Sequence, residues 1–132
     1  MSTILLVEND EDTREGLRRL LRRQGYTVDG VGNGMEALQY VERHPCALVI
    51  TDMLMPGMDG LALLERLREL RPGLPVLLIT AFGDWGSYAR AIELGAASYL
   101  TKPFRSWELL REVQSVLDTA GGEAVGRASS QA

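Results

Sequence analysis

Short apolar runs alternate with longer amphipathic segments along most of this chain. The clearest run, residues 48–51, contains only apolar or β-branched residues, which is typical of a strand buried on both faces. We predict strands at residues 4–7, 26–31, 46–51, 75–79 and 97–100. Gly, Pro, Asn and Asp residues cluster where these runs end, so each run is bounded by turn signals.

Between the predicted strands, leucine and valine recur every three or four residues, the spacing that gives a helix one apolar face. Helices are therefore predicted after every strand, ending near residues 24, 43, 71, 94 and 119, and Asp10 or Asp12 is expected to cap the first of them. The residues expected to face inward are Leu17, Leu20, Leu21, Leu38, Val41, Leu63, Leu64, Leu67, Leu70, Leu109, Leu110, Val113, Val116 and Leu117.

This alternation predicts an α/β fold. Because every crossover carries a helix, the strands should be parallel and the connections right-handed, giving a doubly wound five-stranded parallel sheet. The flavodoxin-like (βα)5 order 2-1-3-4-5 would bring strands one and three together at the switch point, where such sheets bind ligands. One domain is expected over residues 1–119, and residues 120–132, rich in Gly, Ala and Ser, are interpreted as a flexible tail or the start of a linker.

Composition narrows the class of protein. The net charge of −4 gives no bulk attraction to nucleic acid or to an anionic membrane, and no apolar run approaches the ~20 residues of a membrane span. The N-terminus lacks the basic region of a signal peptide, so a cytoplasmic protein is expected. The single Cys46 excludes an internal disulfide and is predicted to be a buried, inert thiol.

Residues with phosphate or metal chemistry stand where four of the strands are predicted to end. Asp52 follows the third strand, Glu8-Asn9-Asp10 follows the first, and Thr80 and Lys102 close the fourth and fifth. Acidic oxygens suit Mg²⁺, a carboxylate can act as nucleophile to form an acyl phosphate, and a lysine can pair with phosphate. Together they indicate phosphoryl transfer.

With these residues in place, the chain resembles the receiver domain of two-component response regulators over about residues 3–119. The motifs that carry the resemblance are Glu8-Asn9-Asp10, Asp52, Met55-Pro56-Gly57-Met58-Asp59-Gly60, Thr80-Ala81 and Lys102-Pro103-Phe104. The resemblance implies that Asp52 is the phosphoacceptor.

The same resemblance implies roles for the other site residues. Mg²⁺ would be held by Glu8, Asn9, Asp52 and the backbone carbonyl of Leu54; phosphate would be bound by Thr80, Ala81 and Lys102; Thr80 and Tyr99 would form the switch pair; and the bond before Pro103 would be cis. The implied function is a signalling switch that takes a phosphoryl group from a histidine kinase or histidine phosphotransfer protein, with Mg²⁺ as cofactor. Phosphorylation would alter binding of a downstream partner at the surface of helix four, strand five and helix five, and could promote a dimer.

The resemblance does not imply an enzyme beyond self-phosphorylation and slow autodephosphorylation, and no direct nucleic-acid binding is expected of this segment. An aspartyl phosphatase would carry an acid-base Asp two residues after the nucleophile, where this chain has Leu54. Because Leu54 and Phe82 are apolar, neither can orient an attacking water. The acyl phosphate is therefore expected to be long-lived.

One residue departs from the family pattern. Most members have Asp where this chain has Asn9, and an amide oxygen can coordinate Mg²⁺ but adds no charge. Weaker Mg²⁺ binding than in a typical receiver is predicted, and the alternative function is a phosphate-independent interaction module of the same fold.

Two surfaces leave alternatives open. The arginines of the first helix form either a solvated face or a docking surface for an acidic partner, and the aromatic residues near helices four and five are either partly core or a partner face. The arginines are Arg14, Arg18, Arg19, Arg22 and Arg23, and the aromatic residues are Trp85, Tyr88, Tyr99 and Trp107.

Overall fold

A computed structural model describes residues 3–81 and 84–121 of the chain. The five strands are β1 Thr3–Val7, β2 Thr27–Val31, β3 Leu48–Asp52, β4 Val76–Ala81 and β5 Ser98–Lys102. The five helices are α1 Glu11–Arg23, α2 Gly34–Arg43, α3 Gly60–Leu70, α4 Trp85–Glu93 and α5 Ser106–Gly121. Strand and helix alternate throughout. No helix among the described residues is long and apolar enough to cross a membrane.

The strands form one parallel sheet in the order β2-β1-β3-β4-β5. Strand β1 pairs with β2 on one side and β3 on the other, with Val7 opposite both Val31 and Thr51. The predicted doubly wound, flavodoxin-like sheet of order 2-1-3-4-5 is therefore confirmed. Its switch point lies between β1 and β3, as the sequence indicated.

The sheet separates two apolar cores. Neighbouring residues of one strand alternate between them: Leu5 packs in the core on the α2, α3 and α4 side, while Ile4 and Leu6 pack in the core beneath α1 and α5. The same alternation runs through β3 and β4, whose residues from Leu48 to Thr80 within the strands are buried. Two covered faces explain why the central strands read as continuous apolar runs.

Four acidic or amide side chains begin the first four helices. Asp10, Asn33, Asp59 and Asp84 are the N-caps of α1 to α4, and each accepts a hydrogen bond from the backbone amide three residues ahead. Asp10 additionally accepts from the Thr13 hydroxyl at 2.6 Å. Of the two residues predicted to cap α1, the structure uses Asp10.

Strands β1 and β2 end where the apolar pattern predicted, whereas β3, β4 and β5 end one or two residues later. Strand β3 includes Asp52, which pairs with Ile79, and β4 and β5 continue to the pair Ala81 and Lys102. The backbone ladder depends on main-chain hydrogen bonds, so it continues through polar residues that end an apolar run. As a result, Asp52 and Lys102 lie on rigid strand ends rather than in loops.

Two local predictions were wrong. Leu70, expected to face inward, is exposed on the last turn of α3. Cys46 precedes β3 and is only half-buried, although burial still raises the pKa of its thiol. Helix α5 continues to Gly121, two residues past the predicted end. Residues 122–132 of the predicted tail, and Phe82, lie outside the described residues.

Candidate functional site

Two acidic residues lie side by side at the carboxyl ends of β1 and β3. Glu8 directly follows β1, and Asp52 is the last residue of β3, one step past the Val7–Thr51 pair. Glu8 is 5% exposed and Asp52 is 8% exposed. Burying two carboxylates together is costly unless positive charge or hydrogen-bond donors compensate them. The surroundings of each residue show how this compensation is arranged.

Glu8 is held by three hydrogen bonds. Its backbone N–H donates to the Val31 carbonyl at 3.1 Å, its own carbonyl accepts from Arg14 Nη1 at 2.7 Å, and its Oε2 accepts from the Asp10 backbone amide at 2.9 Å. Burial raises the pKa of the Glu8 carboxyl; the amide bond from Asp10 partly opposes the rise, and the nearby charge of Asp52 adds to it. Glu8 therefore favours a cation close by.

Lys102 supplies positive charge from β5, two strands away from Asp52. Its Nζ lies 3.3 Å from Oδ1 and 3.5 Å from Oδ2 of Asp52. The lysine side chain is half-exposed, so it can follow a ligand that binds to the carboxylate. The following Lys102–Pro103 peptide bond is cis.

Thr80 lies on β4, between the strands that carry Asp52 and Lys102. Its side chain is 1% exposed, and within the described residues Oγ1 has no hydrogen-bond partner. An unpaired buried hydroxyl costs ~1–3 kcal/mol, and such groups cluster where a ligand is to be bound. This unpaired donor, one residue past the Asp52–Ile79 pair, is available to an acceptor bound at this edge of the sheet.

The loop from β3 to α3 folds back tightly over the end of β3. A Cβ on Gly60 would lie 2.8 Å from both the Asp52 carbonyl oxygen and the Met53 Cα, so only glycine fits there. The Gly60 amide donates to the Met53 carbonyl at 2.8 Å, which closes the loop. Within this loop the Leu54 side chain is 69% exposed and therefore lies outside the apolar core.

Tyr99 connects β5 to α4. Its hydroxyl donates to the backbone carbonyl of Asp84, the N-cap of α4, at 3.2 Å, and its ring meets the Tyr88 ring edge-on at 4.8 Å. Leu78 pairs with Tyr99 and Thr80 with Thr101, so Thr80 and Tyr99 point to the same face of the sheet on adjacent strands. The two predicted switch residues thus share one face, with Tyr99 directed toward α4.

The donor atoms at this edge suit a hard cation. Mg²⁺ binds through one or two carboxylates and keeps several waters, and the two carboxylates of Glu8 and Asp52 meet that requirement. Asn9 is exposed and offers an amide oxygen in place of a third carboxylate. Accordingly, no group of three or more His, Cys, Asp or Glu side chains that could hold a metal occurs in the described part of the chain. The raised pKa of Glu8, caused in part by Asp52, fits a site completed by positive charge.

Sequence reasoning identified the strand-end residues but did not predict the contacts of Arg14 and Gly60 at the site. Arg14 was grouped with the surface arginines of α1, yet it bonds the Glu8 carbonyl; Arg22 likewise donates to the Val28 carbonyl. Arg14 is partly buried by this contact, whereas Arg22 stays exposed while it donates. Gly60 was quoted only as part of a motif, although a glycine directly after the cap Asp59 signals a close backbone approach.

The sequence of this chain matches a known family and several known proteins. The family described as the response regulator receiver domain matches residues 4–114. The response regulator MprA of Mycobacterium leprae is 41% identical over 115 residues, which cover 86% of this chain and 50% of that protein. This chain spans about half, or less, of the length of the curated relatives it matches, from 24% to 51%.

Solved structures show the same architecture. A putative response regulator from Chloroflexus aurantiacus superposes with a TM-score of 0.83 at 39% identity, covering 88% of this chain and 97% of that one. The response regulator TrrA from Thermotoga maritima, solved in complex with Mg²⁺ and BeF, gives a TM-score of 0.80 at 32% identity, covering 88% and 99%.

Proposed function

The chain belongs to the response regulator receiver domain family, and we propose that it is a phosphorylation-controlled switch of a two-component system with Asp52 as phosphoacceptor. The phosphoryl donor is a phosphohistidine of a histidine kinase or of a histidine phosphotransfer protein. One observation carries the proposal: a buried Asp52 lies 3.3 Å from the Lys102 ammonium, beside a Thr80 hydroxyl that has no partner among the described residues. A carboxylate, a cation and a free donor are the groups that an acyl phosphate requires.

The proposed reaction is a single displacement at phosphorus. One Asp52 carboxylate oxygen attacks, a P–O bond forms, and the P–N bond to the donor imidazole breaks. The bonding electron pair stays on the imidazole nitrogen, which takes a proton from solvent. Lys102 stays near the carboxylate and pairs with a phosphoryl oxygen, so the charge that builds up during transfer is met by a fixed ammonium.

Glu8, Asn9, Asp52 and the Leu54 backbone carbonyl would hold the divalent cation. Mg²⁺ supplies positive charge that offsets repulsion between Asp52 and the incoming phosphoryl group. The fit rests on the two buried carboxylates and the raised pKa of Glu8. Lys102 and Thr80 act on phosphate rather than on the metal, with Ala81, exposed at the end of β4, offering its backbone amide.

Phosphorylation is proposed to shift the balance between two conformations. The Thr80 hydroxyl gains an acceptor in a phosphoryl oxygen, which draws Thr80 toward Asp52. Tyr99, on the same face of the sheet, then turns inward and leaves its hydrogen bond to the Asp84 carbonyl and its contact with Tyr88. Since Asp84 caps α4, this loss reaches the first turn of that helix.

The readout is proposed to be the surface of α4, β5 and α5. Large apolar side chains are exposed on it at Trp85, Tyr88, Ile92 and Trp107. Exposed apolar groups on α4 at spacings of three and four form one stripe, which suits a protein partner or a second copy of the chain. The downstream effector is a separate protein or a further region of a longer regulator, in a cytoplasmic setting.

Slow hydrolysis of the acyl phosphate is proposed from the residue two positions after Asp52. Leu54 is apolar and exposed two residues after Asp52, so it offers no group to orient an attacking water. We therefore propose a switch that holds its phosphoryl group and does not turn over a substrate as an enzyme does.

Intact-protein mass spectrometry after incubation with acetyl phosphate and Mg²⁺ tests the proposal. A gain of one phosphoryl group is expected for the wild-type chain and for Asp59→Asn, and none for Asp52→Asn. Asp59→Asn is the matched control because it removes a nearby carboxylate while Asn keeps the α3 cap that Asp59 forms with the Ala62 amide at 2.9 Å. Phosphorylation of Asp52→Asn to the wild-type extent would contradict the assignment.

Asn9 favours a second candidate, a phosphate-independent interaction module, because it removes one carboxylate from the predicted metal site. In that case the wild-type chain would show no mass gain with either acetyl phosphate or a phosphorylated kinase. Partner binding would then be the same for Asp52→Asn and the wild type.

A further inference from the structure

Arg14 of α1 crosses the carboxyl ends of β1 and β2. Its Nη1 donates to the Glu8 carbonyl at 2.7 Å, and its side chain runs beside two glycines of the β2 end. A Cβ on Gly30 would lie 3.0 Å from Arg14 Cδ, and one on Gly32 would lie 3.6 Å from Nη1. A side chain at Gly30 would therefore require Arg14 to shift by a few tenths of an ångström, whereas one at Gly32 would meet it at ordinary contact distance.

The bond from Arg14 is one of three that orient Glu8, the others coming from the Asp10 amide and to the Val31 carbonyl. It is the shortest of the three and the one whose donor is charged, and charge-assisted bonds are the stronger class. Within the described residues no hydrogen bond reaches Oε1 of Glu8. The three bonds thus fix the residue while leaving one carboxylate oxygen available to a ligand.

The orientation of Glu8 matters more in this chain than it would with a third carboxylate present. Asn9 carries no charge, and the Asp10 carboxylate is engaged by the Thr13 amide and hydroxyl at 2.9 and 2.6 Å. Asp10 accepts both bonds on Oδ2 and is exposed at the start of α1, whereas Glu8 is buried next to Asp52. Glu8 is therefore the buried carboxylate that this loop contributes to the site.

We propose that Arg14 is a positioning residue for the divalent cation, holding the main chain at Glu8 so that its carboxylate is set beside Asp52. This inference rests on the proposed function, because it assumes that the cation binds between these two residues. Removing an outer partner of a metal ligand commonly lowers metal affinity 10–100-fold. Here the outer partner acts on the backbone of the ligand rather than on its carboxylate.

The direction of the effect separates positioning from simple electrostatics. The Arg14 guanidinium is positive and close to the site, so its charge alone repels a cation. If Arg14 acted only through charge, its removal would tighten Mg²⁺ binding. If it positions Glu8, its removal weakens Mg²⁺ binding, and a role confined to folding would change stability without changing affinity.

The test is calorimetric titration of the full 132-residue chain with Mg²⁺ alone, without a phosphodonor. Arg14→Gln is expected to raise the dissociation constant for Mg²⁺ about tenfold. Arg14→Lys should recover most of the loss, because an ammonium keeps the charge and can donate to the same carbonyl. Arg18→Gln is the control: Arg18 sits one turn away on α1 and pairs with Glu15 at 3.1 Å, so its loss should leave affinity unchanged.

A second variant separates position from both charge and stability. Gly30→Ala keeps every charge but places a methyl group 3.0 Å from Arg14 Cδ, which moves the flexible side chain. Alanine for glycine within a strand is otherwise neutral or stabilising. We expect Gly30→Ala to weaken Mg²⁺ binding severalfold with no loss of stability in urea, and to add little to Arg14→Gln in the double variant.

The outcomes distinguish this inference from the function on which it rests. If the wild type binds Mg²⁺ and is phosphorylated, but Arg14→Gln binds Mg²⁺ equally well or more tightly, the positioning role is wrong and the proposed function stands. If the wild type itself binds no Mg²⁺, the proposed metal site is wrong, and the role of Arg14 fails with it.

Discussion

At the scale of single residues, the site is defined by polar groups that the protein leaves incompletely satisfied. Thr80 has a buried hydroxyl without a partner among the described residues, Glu8 has a raised pKa, and Asp52 is buried with one lysine nearby. Each arrangement costs stability in the free protein. Under the proposed function, a bound cation and phosphoryl group lower each cost, and this is how the two ligands would shift the conformational balance.

Replacing Thr80 by valine tests the unpaired hydroxyl. Valine has nearly the same shape, so removing a buried donor that makes no bond should raise the free energy of unfolding by about 1 kcal/mol. Urea denaturation of the unphosphorylated chain measures the change, with Thr80→Ser as the variant that keeps the hydroxyl. A clear loss of stability in Thr80→Val would mean that the hydroxyl is paired in the free protein.

Replacing Asn9 by aspartate tests the departure from the family pattern. An added unit anion 4 Å from a divalent cation is worth ~2 kcal/mol in water and ~8 kcal/mol at an effective dielectric of 20, so Mg²⁺ should bind more than tenfold tighter. Calorimetric titration gives the dissociation constants directly. Equal affinities in Asn9→Asp and the wild type would remove the prediction that Asn9 weakens the site.

At the scale of elements, the structure shows why the fold was readable from the sequence. The central strands are covered on both faces, so their apolar runs stand out, and the helix starts carry side chains with cap chemistry, from Asp10 to Asp84. The ends of β3, β4 and β5 were placed too early because the backbone ladder continues through Asp52 and Lys102. The local apolar pattern reflects which residues are buried. The hydrogen-bonded ladder of the sheet instead depends on pairing between strands that are distant in the sequence.

The same distinction explains what was found and missed at the site. The strand-end residues were identifiable because parallel strands bring their carboxyl ends to one edge. The contact from Arg14 to the Glu8 carbonyl depends on how α1 packs across β2 and on the room left by Gly30. Nothing in the local spacing of arginines on α1 separates Arg14 from its solvated neighbours.

Replacing Tyr99 by phenylalanine tests the link between β5 and α4. The change removes the 3.2 Å hydrogen bond to the Asp84 carbonyl and keeps the edge-on contact with Tyr88. A loss of about 0.5–1.5 kcal/mol is expected, concentrated at the start of α4. Amide hydrogen exchange should be faster in the first turn of α4 than in the wild type, while α2 is unchanged as an internal control. Equal exchange rates in α4 would show that the bond does not hold this turn.

At the scale of the whole molecule, chemistry and proposed readout lie on different parts of one sheet. The candidate site residues lie where the carboxyl ends of β1, β3, β4 and β5 meet, and the exposed apolar stripe lies on α4. Tyr99 of β5 contacts α4 through its hydrogen bond to the Asp84 carbonyl and its ring contact with Tyr88. Burying the two carboxylates lowers the free energy of unfolding of the whole domain, so the effect is measured by global unfolding.

The pH dependence of unfolding measures that cost. Because the folded pKa of Glu8 is raised above its ordinary value of 4.5, the folded chain binds the proton more tightly than the unfolded chain. The contribution of Glu8 to stability is therefore full below 4.5 and is lost as pH rises through the folded pKa. Glu8→Gln should be more stable than the wild type at pH 7 without metal, with the difference shrinking toward pH 4. A difference that is independent of pH would contradict this cause.

Borohydride trapping tests whether Asp52 is the phosphoacceptor. Borohydride reduces an aspartyl phosphate to homoserine, so peptide mass mapping of the chain, phosphorylated with acetyl phosphate and Mg²⁺ and then reduced, locates the phosphoryl group at a single residue. We expect homoserine at position 52, in the peptide that spans β3, and none at positions 10, 12 or 59. Homoserine at another aspartate, or none anywhere while Mg²⁺ is bound, would contradict the account.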